Sequence, residues 1–210
     1  MSAENKNISL LIPTMNRPEN VDRLLGSLKD FGYLKRADFR AVIVDSSKDK
    51  STKQVTLDYS AEYVPAENLG KSKAMNLAID SLSSEYIAFL DDDIVIINSN
   101  WLDTLMSNFS RDDVGYVSGR VIAAETNNEA AEKWEQKGAL NKGPNRIEVG
   151  KEFFNKFRFR GVPVNLVTMG ANHVVRRGVL NEVGVHDERF GPGEPIGGAG
   201  ADLDLTYKVL

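Results

Sequence analysis

Residues 86–97, YIAFLDDDIVII, place three consecutive aspartates, Asp91, Asp92 and Asp93, directly after one apolar run and directly before another. Adjacent carboxylates repel one another, and carboxylates at the end of a buried strand also lose solvation. A divalent cation held by oxygen ligands would offset this negative charge. The alternative is a solvated turn that carries charge for solubility. The order of the surrounding elements favours the cation site.

The composition is that of a globular chain long enough for one large domain. Of its 210 residues, 41% are hydrophobic and 27% charged, and the net charge of −4 gives no support to nucleic-acid binding. The absence of cysteine excludes disulfides, thiolate metal sites and a cysteine nucleophile. The polar N-terminus lacks a signal sequence, and no run reaches the roughly 20 apolar residues of a membrane span. We therefore expect a cytoplasmic protein.

Apolar runs alternate with segments of helical periodicity through the first half of the chain. The predicted strands are residues 8–12, 39–44, 61–64 and 86–90, the predicted helices are residues 21–31, 68–82 and 101–109, and the polar stretch 46–52 is predicted to be a loop. This alternation predicts an α/β fold with a Rossmann-like, mostly parallel sheet and helices on both faces.

The second half of the chain departs from this alternation. Residues 114–122 and 165–175 are predicted strands, and residues 176–183 and 202–210 are predicted helices. Residues 123–160 are predicted to form an insertion or flap. The insertion contains Trp134 and the aromatic cluster FFNKFRF, which we interpret either as a wall that stacks on a ligand or as the core of the insertion.

The polar segments after the first, second and fourth strands are predicted to meet. Ligands of α/β sheets bind beyond the carboxyl ends of the strands. Residues 14–17, 45–47 and 91–93 would therefore share one edge of the sheet. With no cysteine and only two histidines, the predicted ion is Mg²⁺ or Mn²⁺ rather than zinc. Such ions bind through one or two carboxylates together with phosphates of the substrate, so a diphosphate ligand is expected beside the metal.

Six segments of the chain resemble, in the same order, those of the inverting family 2 glycosyltransferases. They are residues 12–18 (IPTMNRP), 42–47 (VIVDSS), 68–79 (NLGKSKAMNLAI), 86–93 (YIAFLDDD), 169–191 (MGANHVVRRGVLNEVGVHDERFG) and 198–210 (GAGADLDLTYKVL). The resemblance covers nearly the whole chain apart from residues 123–160. It implies a GT-A fold.

The resemblance also implies roles at a donor site. Asp45 would bind the base or ribose of a nucleotide, Asp91 the ribose, and Asp93 together with Asp91 the metal, while Asp92 fills the variable position of a D-x-D motif and is counted among the donor-binding residues. The other implied donor-binding residues are Pro13, Thr14, Asn16, Arg17, Asn68, Gly70 and Lys71. Two alternatives stay open: Asp45 as a turn residue at the strand end, and Arg17 as a surface charge.

Asp202 is the candidate catalytic base by the same resemblance. In inverting transfer, one carboxylate takes the proton of the acceptor hydroxyl while that oxygen attacks the anomeric carbon. The family's usual glutamate before this aspartate is Ala201 here, which affects acceptor positioning more than base chemistry. Asp202 could instead be a helix N-cap. His173 is expected to pack in the interior, and His186 to be a loop residue.

The implied function is metal-dependent transfer of a sugar from a nucleotide-sugar, with a UDP-sugar preferred, to a saccharide or other hydroxyl acceptor. Within one domain, residues 1–122 would bind the nucleotide-sugar and residues 161–210 the acceptor, and we expect the chain to be truncated at its C-terminus. Peripheral association with the inner face of the membrane is a further expectation. Two alternatives stay open: a nucleotidyltransferase, although PTMNRP lacks the glycines of a triphosphate loop, and a non-catalytic module that binds nucleotide-sugars.

Overall fold

A single six-stranded sheet organises the computed structural model, which describes residues 8–124, 128–136, 140–198 and 200–210. The strands are β1 (Ile8–Thr14), β2 (Phe39–Asp45), β3 (Glu62–Pro65), β4 (Tyr86–Leu90), β5 (Tyr116–Ser118) and β6 (Asn172–Arg176). Their spatial order is β3-β2-β1-β4-β6-β5. The pairs β1–β2, β1–β4 and β2–β3 are parallel, whereas β6 is antiparallel to both β4 and β5. The prediction of a mostly parallel sheet is confirmed.

Helices cover both faces of the sheet. They are α1 (Pro18–Asp30), α2 (Ser51–Asp58), α3 (Lys71–Ser81), α4 (Trp101–Met106), α5 (Glu129–Gln136), α6 (Lys151–Phe157), α7 (Arg177–Val183) and α8 (Gly200–Val209). Short 3₁₀ turns occupy Tyr33–Lys35, Ser107–Ser110 and Val164–Leu166. No helix in the described part of the chain is both long and apolar enough to cross a membrane.

Strand β1 shows why the central strands have continuous apolar sequences. Leu10 and Ile12 belong to the core on the side of α1 and α4, whereas Leu11 belongs to the core on the side of α3, α7 and α8. A strand that is buried on both faces has no need of polar alternation. The central strands are therefore fixed from both sides, and their carboxyl ends open at one edge between the two helical layers.

The predicted loop over residues 46–52 is wrong in its last two residues, because α2 begins at Ser51. The Asp49 carboxylate accepts the Ser51 N–H at 2.9 Å, which starts the helix from the preceding turn. Thr52 and Thr56 are buried, and the Thr56 hydroxyl donates to the Thr52 carbonyl at 2.8 Å. The buried side of this short helix is thus polar in sequence, and hydrophobic periodicity does not reveal it.

Two predicted strands are shorter in the structure. The strand expected over residues 114–122 is confined to β5, and the strand expected over residues 165–175 begins only at Asn172. The early end of β5 and the late start of β6 have the same cause. The Gly119 N–H donates to the Asn172 carbonyl at 2.9 Å, and within the described residues no strand pairs with the chain that precedes Asn172.

The described residues of the insertion include helices α5 and α6. The interpretation of its aromatic cluster as a core is wrong, because no residue of α6 is buried. The Phe154 ring lies 5.4 Å from the Tyr207 ring of α8, and Phe159 is 87% exposed. The side chain of Trp134 lies outside the described residues. The aromatic cluster is thus a partly exposed surface attached to α8.

Candidate functional site

The carboxyl ends of β1, β2 and β4 lie together, as the order of elements predicts. The register of the sheet places Thr14 beside Asp45, and the Ser46 N–H donates to the Thr14 carbonyl at 3.0 Å. On the other side of β1, the Asp91 N–H donates to the Ala171 carbonyl at 3.2 Å. Polar residues from several distant segments of the chain therefore meet at this edge.

Asp92 joins the loop after β1 to the loop after β4. It is only 5% exposed. Its Oδ2 accepts the Thr14 hydroxyl at 2.7 Å, and its Oδ1 accepts Nη1 of Arg17 at 3.2 Å. The middle position of the D-x-D motif thus holds the two loops together. Arg17 is not simply a surface charge, and the predicted donor-binding role of Asp92 stays a prediction.

Asp45 is fully buried at the end of β2. Its Oδ1 accepts the Ser47 N–H at 2.9 Å and the Ser47 hydroxyl at 2.5 Å, and its Oδ2 accepts the Tyr63 hydroxyl at 2.9 Å. The Ser47 hydroxyl oxygen also accepts the Asn16 N–H at 2.7 Å. A carboxylate has about four acceptor positions. A nucleotide that binds Asp45 must therefore use the last position or displace Tyr63, whose pKa is raised to about 12 by burial and by Asp45.

Asp93 is the exposed member of the triple aspartate. Its carboxylate forms no ion pair with any residue that the structure describes. Partial burial raises the pKa of Asp93, and the charges of Asp91 and Asp92 raise it further. A cation at this position would relieve the repulsion.

The oxygen ligands at this position suit Mg²⁺ or Mn²⁺. Within the described ranges, no three acidic or histidine side chains lie close enough together to hold a metal by themselves. Asp93 and Asp91 stay the predicted protein ligands, and a metal held by them would take its remaining ligands from water and a substrate, as is usual for Mg²⁺ sites.

Lys71, the first residue of α3, lies between two carboxylates. Its Nζ donates to Oδ1 of Asp91 at 2.8 Å and lies 3.6 Å from Oδ2 of Asp202. Burial lowers the pKa of Lys71, but the charges of Asp202 and Asp91 outweigh burial, so the net shift is upward. The side chain is thus a charged ammonium that links the first aspartate of the D-x-D motif to the candidate base.

Asp202 is the third residue of α8, so the interpretation as an N-cap is wrong. A carboxylate in the first turn of a helix is stabilised by the helix dipole. A Cβ atom at Gly170 would lie 2.5 Å from Cβ of Asp202, so only glycine fits beside it. Burial raises the pKa of Asp202, but the positive charge of Lys71 opposes this effect, and the net shift is downward. Asp202 is therefore ionised at neutral pH.

Both histidines are buried, and both rings contact Phe89. The His173 ring stacks between Phe89 at 4.5 Å and Tyr116 at 4.9 Å, as expected for a packing role. His186 lies in a loop, as predicted, but its side chain is only 3% exposed and its Nε2 lies 3.9 Å from Oδ1 of Asp202. Loop composition carries no sign of this burial, so sequence reasoning missed His186 as a residue of the site.

Glu194 is a second residue that sequence reasoning missed. Its side chain is only 1% exposed, and its Oε1 accepts the Lys73 N–H at 3.1 Å in the first turn of α3. A Cβ atom at Gly70 would lie 2.4 Å from this carboxylate, so the close approach that Gly70 permits is to Glu194. Asn68, at a φ of 61°, donates its amide to Glu67 at 3.3 Å. The donor-binding roles of Asn68 and Gly70 stay predictions.

A pocket lies between Lys71, Asp91 and Asp202. Its lining includes Pro13, Lys71, Asp91, His186 and Asp202. The space inside is about 10 Å³, which is about enough for one water molecule. The structure thus brings the candidate base and the first aspartate of the D-x-D motif into one small pocket. Asp45, Asp92 and Arg17 lie outside its lining and form the neighbouring network.

The position of Lys71 predicts how Asp202 titrates. In Lys71→Met, burial of Asp202 is no longer opposed by the ammonium charge, so the pKa of Asp202 should rise. Carboxyl ¹³C NMR titration of the parent and the variant measures this shift. Lys73→Met is the matched control, because Lys73 pairs with Glu194 at 3.6 Å instead. An equal rise in both variants would contradict the assigned role of Lys71.

Comparison with known proteins supports the resemblance seen in the sequence. The family model described as "Glycosyl transferase family 2" matches residues 9–184. Glycosyltransferase AglE of Haloferax volcanii is 26% identical over 209 residues, and the match covers 96% of this chain and 63% of AglE. The chain thus spans less than two thirds of this relative.

Solved structures share the fold at low identity. A mannosyltransferase from Pyrobaculum calidifontis, in complex with GDP-Man and Mn²⁺, matches with a TM-score of 0.61 and 17% identity over 95% of this chain and 50% of that one. Glucosyl-3-phosphoglycerate synthase from Mycobacterium tuberculosis, in complex with Mn²⁺, UDP and glucosyl-3-phosphoglycerate, matches with a TM-score of 0.52 and 14% identity. This match covers 85% of this chain and 59% of the synthase chain. The sheet and its helices therefore form a GT-A fold. Because the family model spans most of the 210 residues, the chain belongs to glycosyl transferase family 2.

Proposed function

We propose that this protein is an inverting, metal-dependent glycosyltransferase that moves a sugar from a nucleotide-sugar to a hydroxyl acceptor. One observation supports the proposal most strongly: Asp202 and Asp91 line the same pocket, and Lys71 lies between them. The pocket thus combines an ionised base with a carboxylate of the D-x-D motif. An inverting transfer needs these two functions side by side.

The reaction proposed for Asp202 is a single displacement. The ionised carboxylate accepts the proton of the acceptor hydroxyl while the acceptor oxygen forms a bond to the anomeric carbon. The bond from that carbon to the diphosphate breaks on the opposite face, so the configuration inverts. Lys71 contributes positive charge close to the pocket, where negative charge grows on the departing diphosphate.

We propose Mg²⁺ or Mn²⁺ as the metal, with Asp93 and Asp91 as its protein ligands. When bound, such an ion would supply positive charge that offsets the charge of the leaving diphosphate. The mannosyltransferase and the synthase named above were both solved with Mn²⁺, one with GDP-Man and the other with UDP. We propose a UDP-sugar as the donor of this chain, with a GDP-sugar as the alternative.

The nucleotide is proposed to bind at the edge formed by β1 and β2. Asp45 and the loop after β1 meet there through Ser47, and Arg17 is 60% exposed beside them. The proposed donor-binding residues are Pro13, Thr14, Asn16, Arg17, Asp45, Asn68, Gly70, Lys71, Asp91 and Asp92. A nucleotidyltransferase, or a module that binds nucleotide-sugars without turnover, would use the same edge, and the two experiments below distinguish them.

Replacement of the proposed base tests the chemistry. Asp202→Asn should lower the rate of sugar transfer by about 10²- to 10⁴-fold, because the amide cannot accept the acceptor's proton at neutral pH. Transfer from UDP- and GDP-sugars with Mn²⁺ is the measurement. Asp204→Asn is the matched control in the same helix, since Asp204 pairs with Lys208 at 2.6 Å. Undiminished transfer by Asp202→Asn would refute the assignment, and nucleotide binding without transfer by the parent would favour the binding module.

Thermal unfolding tests the donor and the metal. With Mn²⁺ present, UDP at 100 times its Kd should stabilise the protein by about 2.7 kcal/mol, or about 5–10 °C. Asp93→Asn should remove most of the part that depends on Mn²⁺. The parallel series contains GDP, nucleoside triphosphates and UDP without metal. A larger shift with triphosphates than with UDP and GDP would favour the nucleotidyltransferase.

We also propose that segment 151–160 binds an anionic membrane surface. The segment KEFFNKFRFR carries four basic residues and one acidic residue, whereas the whole chain has a net charge of −4. Arg158 lies 4.6 Å over the exposed Phe159 ring, and Lys156 lies 5.2 Å over the Phe157 ring. Basic side chains beside exposed rings are typical of surfaces that lie in the interfacial region of a bilayer.

Vesicle binding tests this surface. The parent should co-sediment with vesicles containing phosphatidylglycerol and not with pure phosphatidylcholine. Arg158→Gln together with Arg160→Gln should weaken binding by roughly fivefold per removed charge, that is, about 1 kcal/mol each. Lys29→Gln together with Lys35→Gln is the control, because it removes two exposed charges elsewhere. Equal weakening in both pairs would exclude a specific membrane-binding segment.

A further inference from the structure

We propose that His186 is a positioning residue for Asp202. Its Nε2 faces Oδ1 of Asp202 at 3.9 Å, while Nζ of Lys71 faces Oδ2 at 3.6 Å. The two oxygens of the Asp202 carboxylate thus each lie near a different nitrogen group. This inference rests on the proposed function, because it takes Asp202 to be the catalytic base.

The backbone of His186 is held from α3. The Asn76 side chain accepts the His186 N–H at 3.1 Å and donates to the His186 carbonyl at 2.9 Å. The same amide nitrogen lies 3.1 Å from Oε1 of Glu188. A side-chain amide that makes both bonds to one residue fixes the position and direction of its peptide groups. His186 therefore has little freedom, although it lies in a loop.

The imidazole ring is also held by packing. It lies edge-on to Phe89, with 5.4 Å between ring centroids and an interplanar angle of 74°. Phe89 is itself held in place, because its ring also stacks on His173 at 4.5 Å. The direction of Nε2 toward Asp202 is thus set by the interior of the protein.

The ring is neutral at physiological pH. Burial lowers the pKa of His186 to about 4, although the charge of Asp202 opposes the shift, and His173, Lys71 and Lys208 lower it further. A neutral imidazole carries one N–H. Nδ1 is buried and has no partner among the described residues, whereas Nε2 faces a carboxylate, so the N–H belongs on Nε2.

A neutral donor at this position orients the base without protonating it. A distance of 3.9 Å is longer than a direct hydrogen bond, and hydrogen bonds of catalytic groups often shorten only when substrate is bound. An N–H that points at Oδ1 favours one rotation of the carboxylate and favours its ionised form. Lys71 alone would leave Oδ1 without a protein donor.

Two substitutions of His186 distinguish the role of Nε2 from the role of the ring. His186→Phe keeps a planar ring of similar size and removes Nε2, whereas His186→Gln places an amide N–H close to the position of Nε2. In His186→Phe, kcat for transfer should fall roughly 10- to 100-fold with little change in the KM for the donor. The pKa of Asp202, followed by carboxyl ¹³C NMR, should rise. His186→Gln should restore both quantities toward the parent values.

The outcomes are distinct. If His186→Phe keeps the parent kcat and the parent pKa of Asp202, the inference is overturned. If Phe and Gln variants lose activity and melting temperature equally, His186 is only structural, and the inference is likewise overturned. If the parent transfers no sugar, the proposed function fails. The NMR titration then still decides whether His186 acts on Asp202, because it needs no substrate.

Discussion

The repulsion among carboxylates at the carboxyl edge of the sheet is the constraint on which the site depends. Asp45, Asp91, Asp92, Asp93 and Asp202 gather there from two strand ends and one helix. Arg17 and Lys71 pair with Asp92, Asp91 and Asp202, while hydroxyls and an N–H satisfy Asp45. Asp93 has no ion-pair partner among the described residues, and the charges of Asp91 and Asp92 raise its pKa more than Arg17 lowers it. The uncompensated negative charge is therefore localised at the exposed carboxylate of Asp93, and a cation suits that position.

The same bonds that neutralise these charges also fix the loops. Thr14 and Arg17 bind Asp92, and the backbone of Asn16 binds Ser47, so the loop after β1 is tied to both neighbouring strands. A buried carboxylate that lost one of these partners would leave an unsatisfied charge, which costs more than the bond itself contributes. Folding and site geometry thus depend on one polar network, and a substitution in it changes both together.

The sequence predicts the parts of this structure that depend on local patterns. The apolar runs of β1 and β4 identify the central strands, and the order of elements places Asp45 and Asp91 at one edge. It does not predict α2, whose buried residues Thr52 and Thr56 are polar. Nor does it predict the contacts of His186 and Glu194, because these join a late loop to α3, more than 100 residues earlier in the chain. Periodicity reports on neighbours along the chain, not on such pairs.

The size of the pocket limits where a donor can enter. A space of about 10 Å³ is far smaller than any sugar. Pro13, Phe89 and Leu90 on one side of it belong to central strands that are packed on both faces, so they cannot withdraw without loss of core contacts. Gly170, on the other side, belongs to the connection that precedes β6. If a sugar binds here as we propose, room for it must come from the side of Gly170, while the aspartates at the strand ends keep their positions.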